Sequence, residues 1–315
     1  MYLGIDVGGT NLAAGLVTED GKLLHRSSWP VDRTMPAEEL PRAVARLCRF
    51  TAEESGTPLE EITDIGVGIP GQVDDRSGVV VQTPNLPFHN TPFRAIFLEE
   101  LDKPVHLGND ANCAAVAEYV AGAAAGAESA LMVTLGTGIG GGYVANNRLY
   151  TGITGSAFEV GHMVTHVGGR HCGCGKIGCW EQYGSASALI RMGREAMAED
   201  AGSLMHSLCG RDPGKLGGRT VFEAAEKGDP AACRVLDRYL DELTAGLVNV
   251  INILQPEVIC LGGGISSASD KLLYAPLTER VRRNMFDESY PVNIRRALLG
   301  NDAGIIGAAM LCRLD

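Results

Sequence analysis

The chain has 315 residues, a formal net charge of −11 and a charged fraction of 21%. These values are typical of a soluble globular protein with two domains or one large domain, and the acidic charge disfavours a nucleic-acid-binding surface. No apolar run reaches the roughly 18 residues of a membrane span, and the opening MYLGIDVGG lacks the features of a signal peptide, so we expect a cytoplasmic protein that binds neither membranes nor nucleic acids.

The first 28 residues have the pattern of three strands joined by two turns. The apolar runs YLGIDV and LAAGLV are separated by GGTN, and EDG separates the second run from KLLHRSS. A helix is predicted from about Pro36 to Glu54, because Leu40, Val44 and Leu47 recur at helical spacing. Two short strands, ITDIGVGIPG and PVHLGND, then precede the alanine-rich helix ANCAAVAEYVAGAAAG.

The opening pattern returns near residue 130. The segment ALMVTLGTGIGGGYVANNRLYTG again contains a strand, a glycine turn, a strand, a two-residue turn at Asn146-Asn147 and a strand. Because IDVGGT and VTLGTG occupy equivalent places, we predict an internal duplication. Later elements are an amphipathic helix from about Pro230 to Leu254, a buried strand in PEVICLGGGIS, and a final helix with Asp302 as its N-cap.

Three glycine-rich turns each follow an apolar strand. They are DVGGTN from Asp6, TLGTGIGGG from Thr134 and LGGGIS from Leu261. Glycine lets backbone N–H groups approach phosphate oxygens, although a tight hairpin by itself explains any one of these turns. The lysine-containing P-loop and the dinucleotide fingerprint are absent from the sequence, since GTGIGGG leads into a strand. Two such turns in duplicated halves suit a nucleotide held between two domains.

Three cysteines, Cys172, Cys174 and Cys179, are clustered in HCGCGKIGCWEQ, whereas the other six are scattered singly and are expected to be small apolar residues. The cluster has four interpretations: a disulfide loop, a redox site, a zinc ribbon for nucleic acid, or a structural metal site. A reducing compartment disfavours disulfides, the spacing lacks CxxC, and the acidic charge disfavours a nucleic-acid ribbon. Three thiolates and one imidazole would complete a closed zinc site, with His162, His166 and His171 as alternative histidines.

The glycine turns, together with Glu159-x-Gly161-His162 and the motif CGCGxxGCxE, resemble the ROK family (repressors, open reading frames and kinases) of the actin-like ATPase superfamily. The resemblance extends from Gly4 to the last helix. It implies an α/β, ribonuclease H-like fold with two domains, mixed sheets and an interdomain cleft. Residues 1–108 with a C-terminal helix at about 301–315 would form the smaller domain, and residues 109–300 the larger domain with the zinc site.

The same resemblance implies an ATP-dependent hexose kinase, with glucose favoured over fructose, mannose, N-acetylmannosamine and N-acetylglucosamine. Asp110 would be the general base that accepts the proton of the attacking sugar hydroxyl. Asn109 would bind the sugar, although the residue types also allow Asn109 or Asp110 to be a helix N-cap. The further sugar-binding residues that the resemblance implies are Gly71, Asn85, Glu159, His162 and Glu181.

The nucleotide is expected to contact the glycine turns, with Mg²⁺ as its counter-ion. The Asp6 carboxylate suits Mg²⁺ held through water, and stabilisation of its turn is the alternative role. The predicted nucleotide-binding residues are Asp6, Gly8, Gly9, Thr10, Asn11, Thr137, Gly138, Gly263 and Gly264. The resemblance also selects His162, Cys172, Cys174 and Cys179 as ligands of a structural Zn²⁺ that supports the loop beside Glu181.

Two other functions are weighed against the kinase. A repressor of the same family would need a winged-helix segment ahead of the first hairpin, and we expect none, because that hairpin begins at Tyr2. A sugar-binding module without catalysis is disfavoured by the intact motifs, and polyphosphate remains an alternative phosphate donor. The resemblance implies a homodimer or a homotetramer.

Overall fold

The computed structural model describes residues 1–32 and 34–314. Its strands are β1 (Tyr2–Val7), β2 (Asn11–Val17), β3 (Leu23–Pro30), β4 (Asp64–Ile69), β5 (Gln72–Asp74), β6 (Val79–Gln82), β7 (His89–Thr91), β8 (Val105–Asn109), β9 (Ser129–Leu135), β10 (Ile139–Ala145), β11 (Arg148–Leu149), β12 (Val258–Gly262) and β13 (Ile294–Arg296). Its α-helices are α1 (Glu39–Ser55), α2 (Phe93–Glu100), α3 (Asp110–Ala121), α4 (Glu181–Gly184), α5 (Ala186–Glu199), α6 (Leu204–Leu208), α7 (Gly218–Glu226), α8 (Pro230–Leu254), α9 (Ala275–Asn284) and α10 (Ala303–Ala309).

Two five-stranded sheets have the same strand order. The first is β3-β2-β1-β4-β8 and the second is β11-β10-β9-β12-β13, so each strand of one sheet has a counterpart in the other. Asn146 and Asn147, with φ of 52° and 58°, form the two-residue turn between β10 and β11, as the sequence predicts. The matching order confirms the predicted internal duplication. A third sheet, β5-β6-β7, has no counterpart among the sequence predictions.

The parallel strands of the first sheet end at one common edge. Asp6 on β1 pairs with Gly68 on β4, and Gly68 pairs with Gly108 on β8. The carboxyl ends of parallel strands meet at the same edge of a sheet, which is where open α/β folds bind ligands. Asp6, the turn at Gly71 and the start of α3 are therefore neighbours at this edge.

Two glycines allow α10 to lie directly on the first sheet. Gly4 and Gly66 are paired across β1 and β4. A Cβ at Gly4 would lie 1.8 Å from the Ile305 carbonyl oxygen, and one at Gly66 would lie 1.7 Å from the Ala308 carbonyl oxygen. No larger residue fits at either position, so this close approach of helix backbone to sheet backbone depends on both glycines.

A buried carboxylate fastens the segment before α10 to α3. Glu118 is 1% exposed, and its two oxygens accept the backbone N–H groups of Ala123 at 2.7 Å, Leu298 at 3.0 Å and Leu299 at 2.8 Å. Hydrogen bonds to a charged group are stronger than neutral ones, and these satisfy a carboxylate that would otherwise be costly to bury. α10 accordingly packs against α3 as well as against β1 and β4.

The helix predictions from sequence are mostly accurate. α8 has the predicted bounds, with Asp229 as an N-cap that accepts the Ala231 N–H at 3.0 Å. Asp302 stands at the predicted N-cap position of the final helix, but its side chain makes no capping hydrogen bond; its carboxylate instead accepts a hydrogen bond from Arg26 at 3.1 Å. Within the described residues, no helix combines the length and the apolar character needed to cross a membrane.

The chain divides into two compact units. Unit 1 contains Met1–Met132, Gly142–Phe158 and Leu298–Asp315, and unit 2 contains Val133–Gly141 and Glu159–Ala297. The domain division predicted from sequence, 1–108 with about 301–315 against 109–300, stays a prediction. The compact units differ from it in that residues 109–132 and 142–158 belong with the N-terminal residues.

Candidate functional site

Asn109 joins β8 to α3 and caps the helix. Its backbone is extended, and its Oδ1 accepts the N–H groups of Ala111 at 2.8 Å and Asn112 at 3.4 Å. Its Nδ2 donates to the Gly71 carbonyl oxygen at 2.8 Å. The capping role left open by the sequence therefore belongs to Asn109, and Asp110 is the first residue of the helix.

The Asp110 carboxyl combines access to solvent with a raised pKa. Its side chain is exposed, yet protein atoms surround it closely enough that desolvation raises the pKa. The Ala111 N–H, donated to Oδ1 at 2.9 Å, opposes this by favouring the charged form. A carboxylate whose pKa is raised towards neutrality accepts a proton more readily, as a general base must.

Asp6 lies near Asp110 at the edge of the first sheet. Burial, and then the negative charge of Asp110, raise the pKa of Asp6 to about 6, and the positive charge of Arg26 opposes both effects. A Cβ at Gly304 would lie 2.7 Å from Asp6 Oδ2, so glycine at this position of α10 leaves space for the carboxylate. Two nearby carboxyl groups with raised pKa values suit a divalent cation, which favours the charged form of each.

The first glycine turn is a tight hairpin with exposed polar side chains. Gly8 donates its N–H to the Asn11 carbonyl oxygen at 2.9 Å, and a Cβ at Gly8 would lie 3.0 Å from that oxygen. The side chains of Thr10 and Asn11 are exposed, and that of Asn11 donates to Thr10 Oγ1 at 3.5 Å. The hairpin interpretation therefore holds, and it leaves these two side chains accessible to a ligand.

The second glycine turn is in contact with Glu181. Ile139 donates its N–H to Glu181 Oε2 at 3.1 Å, and a Cβ at Gly138 would lie 2.2 Å from the same oxygen. The Thr137 carbonyl oxygen accepts the Ser187 hydroxyl at 2.8 Å. Gly138 must therefore lack a side chain for the Glu181 carboxylate to reach the turn, which gives this glycine a packing role in addition to its predicted nucleotide contact.

The third glycine turn depends on the conformation of Gly263. This residue has φ +81° and ψ 179°, a combination that is essentially limited to glycine. A Cβ there would lie 2.5 Å from the Leu135 carbonyl oxygen at the end of β9. Gly264, which follows, has open space around its Cα. The third turn thus approaches the second one backbone to backbone in unit 2.

Four side chains in unit 2 converge in the pattern of a metal site. The ligand atoms of His162, Cys172, Cys174 and Cys179 all lie within 4.8 Å of one another. Cys174 Sγ lies 3.7 Å from Cys179 Sγ, and Cys172 Sγ lies 3.7 Å from His162 Nδ1. Two thiolates bound to one tetrahedral zinc at the usual Zn–S length are about 3.8 Å apart. The donor set and its spacing therefore fit Zn²⁺.

The three clustered cysteines repel one another when they are deprotonated, so a nearby cation favours their thiolate forms. Burial first, and then the neighbouring Cys174 and Cys172, raise the pKa of Cys179 to about 12. Burial also raises the pKa of Cys172, whereas at Cys174 the hydrogen bonds from its neighbours outweigh desolvation and lower the pKa. A bound metal deprotonates its thiol ligands. The cluster is thus poised for a cation that offsets the repulsion between its sulfurs.

The two rival histidines lie outside this cluster. His166 stacks on Tyr183 with ring centroids 3.8 Å apart, and its two ring nitrogens lie 3.1 Å from Thr165 Oγ1 and 3.4 Å from Glu242 Oε2. Its imidazole is thus engaged elsewhere. Within the described residues, the converging set includes His162 and neither His166 nor His171.

Glu159, Gly71 and Asn85, which are also predicted to bind the sugar, differ in their local structure. Glu159 is exposed and begins a 3₁₀ turn over Val160–His162, whose last N–H bonds back to the Glu159 carbonyl oxygen at 2.9 Å. Gly71 has φ +100°, and a Cβ there would lie 2.4 Å from the Gln82 carbonyl oxygen. Asn85 is exposed between β6 and β7.

Sequence reasoning missed two residues beside this set. Gly304 makes room for Asp6, and Phe158, directly before Glu159, has φ +66°. Neither carries a sequence signal, because Gly304 lies in an ordinary helical pattern and Phe158 follows small residues. The predicted site residues of unit 1 are Asp6, Gly8, Gly9, Thr10, Asn11, Gly71, Asn85, Asn109 and Asp110, and those of unit 2 are Thr137, Gly138, Glu159, His162, Cys172, Cys174, Cys179, Glu181, Gly263 and Gly264.

A family model, related proteins and a solved structure give consistent matches to this chain. Residues 2–314 match the model of the family described as ROK family. A glucokinase of Thermotoga maritima is 38% identical over 315 residues, which cover 99% of this chain and 96% of that protein. An N-acetyl-D-glucosamine kinase of Salmonella gallinarum is 30% identical, with complete coverage of both. The crystal structure of a ROK family glucokinase from Streptomyces griseus in complex with glucose and AMPPNP is 32% identical, with a TM-score of 0.80 and 98% of each chain covered.

Proposed function

Because the chain belongs to the ROK family, we propose that it is an ATP-dependent hexose kinase whose main reaction converts glucose to glucose 6-phosphate. The observation that carries the proposal is the pair Asp6 and Asp110, two carboxyl groups with raised pKa values at the carboxyl edge of one sheet. Full-length similarity to glucokinases supports the sugar, and similarity to a glucokinase solved with glucose and AMPPNP supports the nucleotide.

Asp110 is the proposed general base. The sugar hydroxyl oxygen forms a bond to the γ-phosphorus of ATP, the bond from that phosphorus to the bridging oxygen of ADP breaks, and the hydroxyl proton passes to a carboxylate oxygen of Asp110. The raised pKa makes Asp110 a better proton acceptor than an aspartate with the ordinary pKa. Asn109, whose Nδ2 already bonds to Gly71, has a second amide hydrogen to offer a sugar hydroxyl.

The phosphates are expected to be held mainly by backbone N–H groups. The glycine turns contain no lysine, so their backbone amides, with Thr10, Asn11 and Thr137, supply the polar contacts. Asp6 would hold Mg²⁺, which neutralises phosphate charge when bound. Glycine at 263 and 264 lets the adjoining backbone approach a nucleotide closely.

Zn²⁺ held by His162, Cys172, Cys174 and Cys179 has a structural role in this proposal. The four ligands leave no open position for chemistry, which is the pattern of structural zinc sites. His162 faces the sulfur atoms through Nδ1, so its Nε2 remains for a sugar hydroxyl. Glu159 and Glu181 are further proposed acceptors for sugar hydroxyls, and Gly71 and Asn85 belong to proposed sugar-contacting loops.

One assay tests the reaction, the sugar and the donor. The purified protein is given glucose, mannose, fructose, N-acetylglucosamine or N-acetylmannosamine, each with Mg²⁺ and either ATP, ADP or polyphosphate, and phosphorylated sugar is quantified. We expect the highest kcat/KM with glucose and ATP. A higher kcat/KM for an N-acetylated sugar would replace glucose with that sugar in the proposal. N-acetylglucosamine would match the name of the 30% identical relative, an N-acetyl-D-glucosamine kinase. Phosphorylation of none of these sugars would overturn the kinase.

The quaternary structure and the compartment are also proposals. We propose a homodimer or homotetramer in the cytoplasm, from the family resemblance and from the absence of a membrane-spanning helix among the described residues. Sedimentation equilibrium with and without sugar measures the assembly. A monomer at the concentrations of the kinase assay would contradict the proposed oligomer without affecting the proposed reaction.

A further inference from the structure

The third glycine turn continues into a short 3₁₀ turn over Gly264–Ser267. The Gly263 carbonyl oxygen accepts both the Ser266 hydroxyl at 2.8 Å and the Ser266 N–H at 3.1 Å, so the two turns are bonded to each other. A 3₁₀ turn has poorer hydrogen-bond geometry than an α-helix. We therefore expect contacts from outside this segment to contribute to its stability.

Tyr274 makes one such contact. Its side chain is buried, and its hydroxyl donates to the Ser266 carbonyl oxygen at 2.8 Å. Tyr274 is the last residue of a π-helical turn, Asp270–Tyr274, that leads directly into α9. Turns of this type are rare and are found frequently at functional sites. The tyrosine hydroxyl therefore joins the 3₁₀ turn to the beginning of α9.

Arg296, the last residue of β13, makes a second contact. It stands opposite Leu261, because β13 pairs in parallel with β12. Its Nη2 donates to the Ala268 carbonyl oxygen at 2.7 Å and lies 3.6 Å from a carboxylate oxygen of Asp270. The arginine side chain thus extends from the sheet to the three residues that connect the 3₁₀ turn to the π-helical turn.

A cation–π interaction connects the two contacts. The guanidinium carbon of Arg296 lies 5.3 Å from the centroid of the Tyr274 ring, which is within the usual range for such pairs. The planar guanidinium can face a ring and still donate hydrogen bonds, which a lysine ammonium does less well. All these residues belong to unit 2. Arg296 and Tyr274 therefore form one support for the residues after the third glycine turn.

We propose that Arg296 is a positioning residue for nucleotide binding, which acts with Tyr274 to hold the third glycine turn in the conformation that receives the nucleotide. The inference rests on the proposed function, in which Gly263 and Gly264 contact the nucleotide. Its physical basis is preorganisation, because a turn already held in the binding conformation loses less conformational freedom when the ligand arrives. Arg296 itself needs no contact with the nucleotide.

The test compares Arg296→Met, Tyr274→Phe and the double variant. Methionine removes the guanidinium and keeps a long side chain, and phenylalanine removes only the hydroxyl. We expect each single variant to raise KM for ATP about fivefold or more, while kcat and KM for the sugar change by less than about threefold. Isothermal titration with Mg²⁺ and AMPPNP, without sugar, should show the same loss of affinity.

The double variant tests whether the two side chains act through one segment. Its KM for ATP should be close to that of Arg296→Met alone, because residues that act together are not additive. Multiplied effects of the two substitutions would overturn the shared support. If Arg296→Met raises KM for ATP and Tyr274→Phe does not, the arginine acts by another route and the positioning role is overturned.

Arg283→Met and Tyr290→Phe are the matched controls. The Arg283 side chain is 73% exposed on α9 in the same unit, where it pairs with Glu279, so its loss removes the same charge. Tyr290 is buried, and its hydroxyl donates to the Pro256 carbonyl oxygen. Both controls should leave KM for ATP unchanged. An equal rise of this KM in Arg283→Met and Arg296→Met would show a general effect of charge and would overturn the inference.

Gly264→Ala separates failure of the inference from failure of the proposed function. A Cβ at Gly264 meets no atom within 4 Å, so this variant should fold, but the methyl group would obstruct a nucleotide lying along the backbone. If Gly264→Ala raises KM for ATP and the variants of Arg296 and Tyr274 do not, the positioning role is overturned and the kinase proposal stands. If Gly264→Ala leaves KM for ATP unchanged, the third turn is not a nucleotide contact, and the inference falls with that assignment. A wild-type protein that phosphorylates no sugar would overturn the proposed function itself.

Discussion

Glu181 accepts the backbone N–H of Ile139 through Oε2 at 3.1 Å. Its other oxygen, Oε1, lies 3.5 Å from Cys172 Sγ. One carboxylate therefore links the cysteine cluster to the second glycine turn within unit 2. Three predicted roles meet at this side chain, since the cluster is the proposed zinc site, the turn a proposed nucleotide contact, and Glu181 a proposed sugar contact.

Gly138→Ala should disturb this link, whereas Gly136→Ala should not. A Cβ at Gly138 would lie 2.2 Å from Glu181 Oε2, so the carboxylate must move, while a Cβ at Gly136 meets no atom within 4 Å. We expect Gly138→Ala to lower kcat/KM for the sugar about tenfold or more. Steady-state kinetics on both variants measures this, and equal activities would show that Glu181 does not depend on the turn.

Cys174→Ser should release zinc and weaken sugar binding. Loss of one thiolate ligand from a four-ligand site reduces metal affinity, and the loop that carries His162 and Glu181 loses its support. We expect about one zinc per wild-type chain by elemental analysis, substoichiometric zinc in the variant, and a KM for the sugar raised by about tenfold or more.

Two outcomes bear on the zinc prediction. Cys233→Ser is the control, because Cys233 is an exposed cysteine on α8 outside the cluster, and its substitution should leave the zinc content and the KM unchanged. Wild-type sugar affinity in a zinc-free sample would contradict the supporting role of the metal while leaving the metal site itself in place.

Asp110→Asn should remove the general base and preserve the fold. Asparagine has nearly the same shape as aspartate, and the helix cap is supplied by Asn109, so the start of α3 should remain intact. General-base catalysis contributes about 10²–10⁴-fold, and kcat should fall by that factor with KM values changed little. Asp102→Asn, at an exposed position before β8, is the control. A kcat within a few fold of wild type would exclude Asp110 as the base.

The Asp6 carboxylate should destabilise the cation-free protein at neutral pH. Its pKa in the folded chain is about 6 against an ordinary value of 3.8, so the folded state binds the proton more tightly than the unfolded state. The free energy of unfolding therefore decreases as pH rises from about 4 to 6 and stays low above that range. At pH 7 without divalent cations, Asp6→Asn should be more stable than wild type by roughly 1–3 kcal/mol.

Urea unfolding at pH 4 and pH 7 measures this difference. The two proteins should have similar stabilities at pH 4, where Asp6 is largely protonated in the folded state, and should diverge at pH 7. A constant difference at both pH values would contradict a raised pKa. The same substitution should lower kinase activity, because the group that costs stability is the proposed Mg²⁺ partner.

The hairpins, α8 and the duplication are predictable from sequence because each depends on a local pattern. Alternating or helical apolar spacing and turn residues such as Asn146-Asn147 report directly on the backbone. The β5-β6-β7 sheet was not predicted, since its strands have only three or four residues each. Asp302 illustrates a second limit: it precedes a helix, yet its side chain pairs with Arg26, 276 residues away in sequence.

The residues of the candidate site also divide into those that a local sequence pattern reveals and those that it does not. Asp6, Asn109 and Asp110 stand at strand ends, where polar residues after apolar runs can be recognised. Gly304 is close to Asp6, which approaches it from a distant segment, and the left-handed φ of Phe158 is a backbone angle, so neither feature can be recognised from local composition. The site residues predicted from the sequence remain predictions until the variants are assayed.

The packing of α10 on the first sheet bears on how the protein is made. Residues 305–308 fill the space left by Gly4 and Gly66, and Glu118 bonds to Leu298 and Leu299, so unit 1 is completed by a segment that follows all of unit 2 in the chain. Its N-terminal strands must wait, partly uncovered, through the synthesis of nearly all of unit 2. The face of the first sheet that α10 covers is therefore exposed in the nascent chain until that segment has been synthesised, and truncation before Leu298 would leave it uncovered.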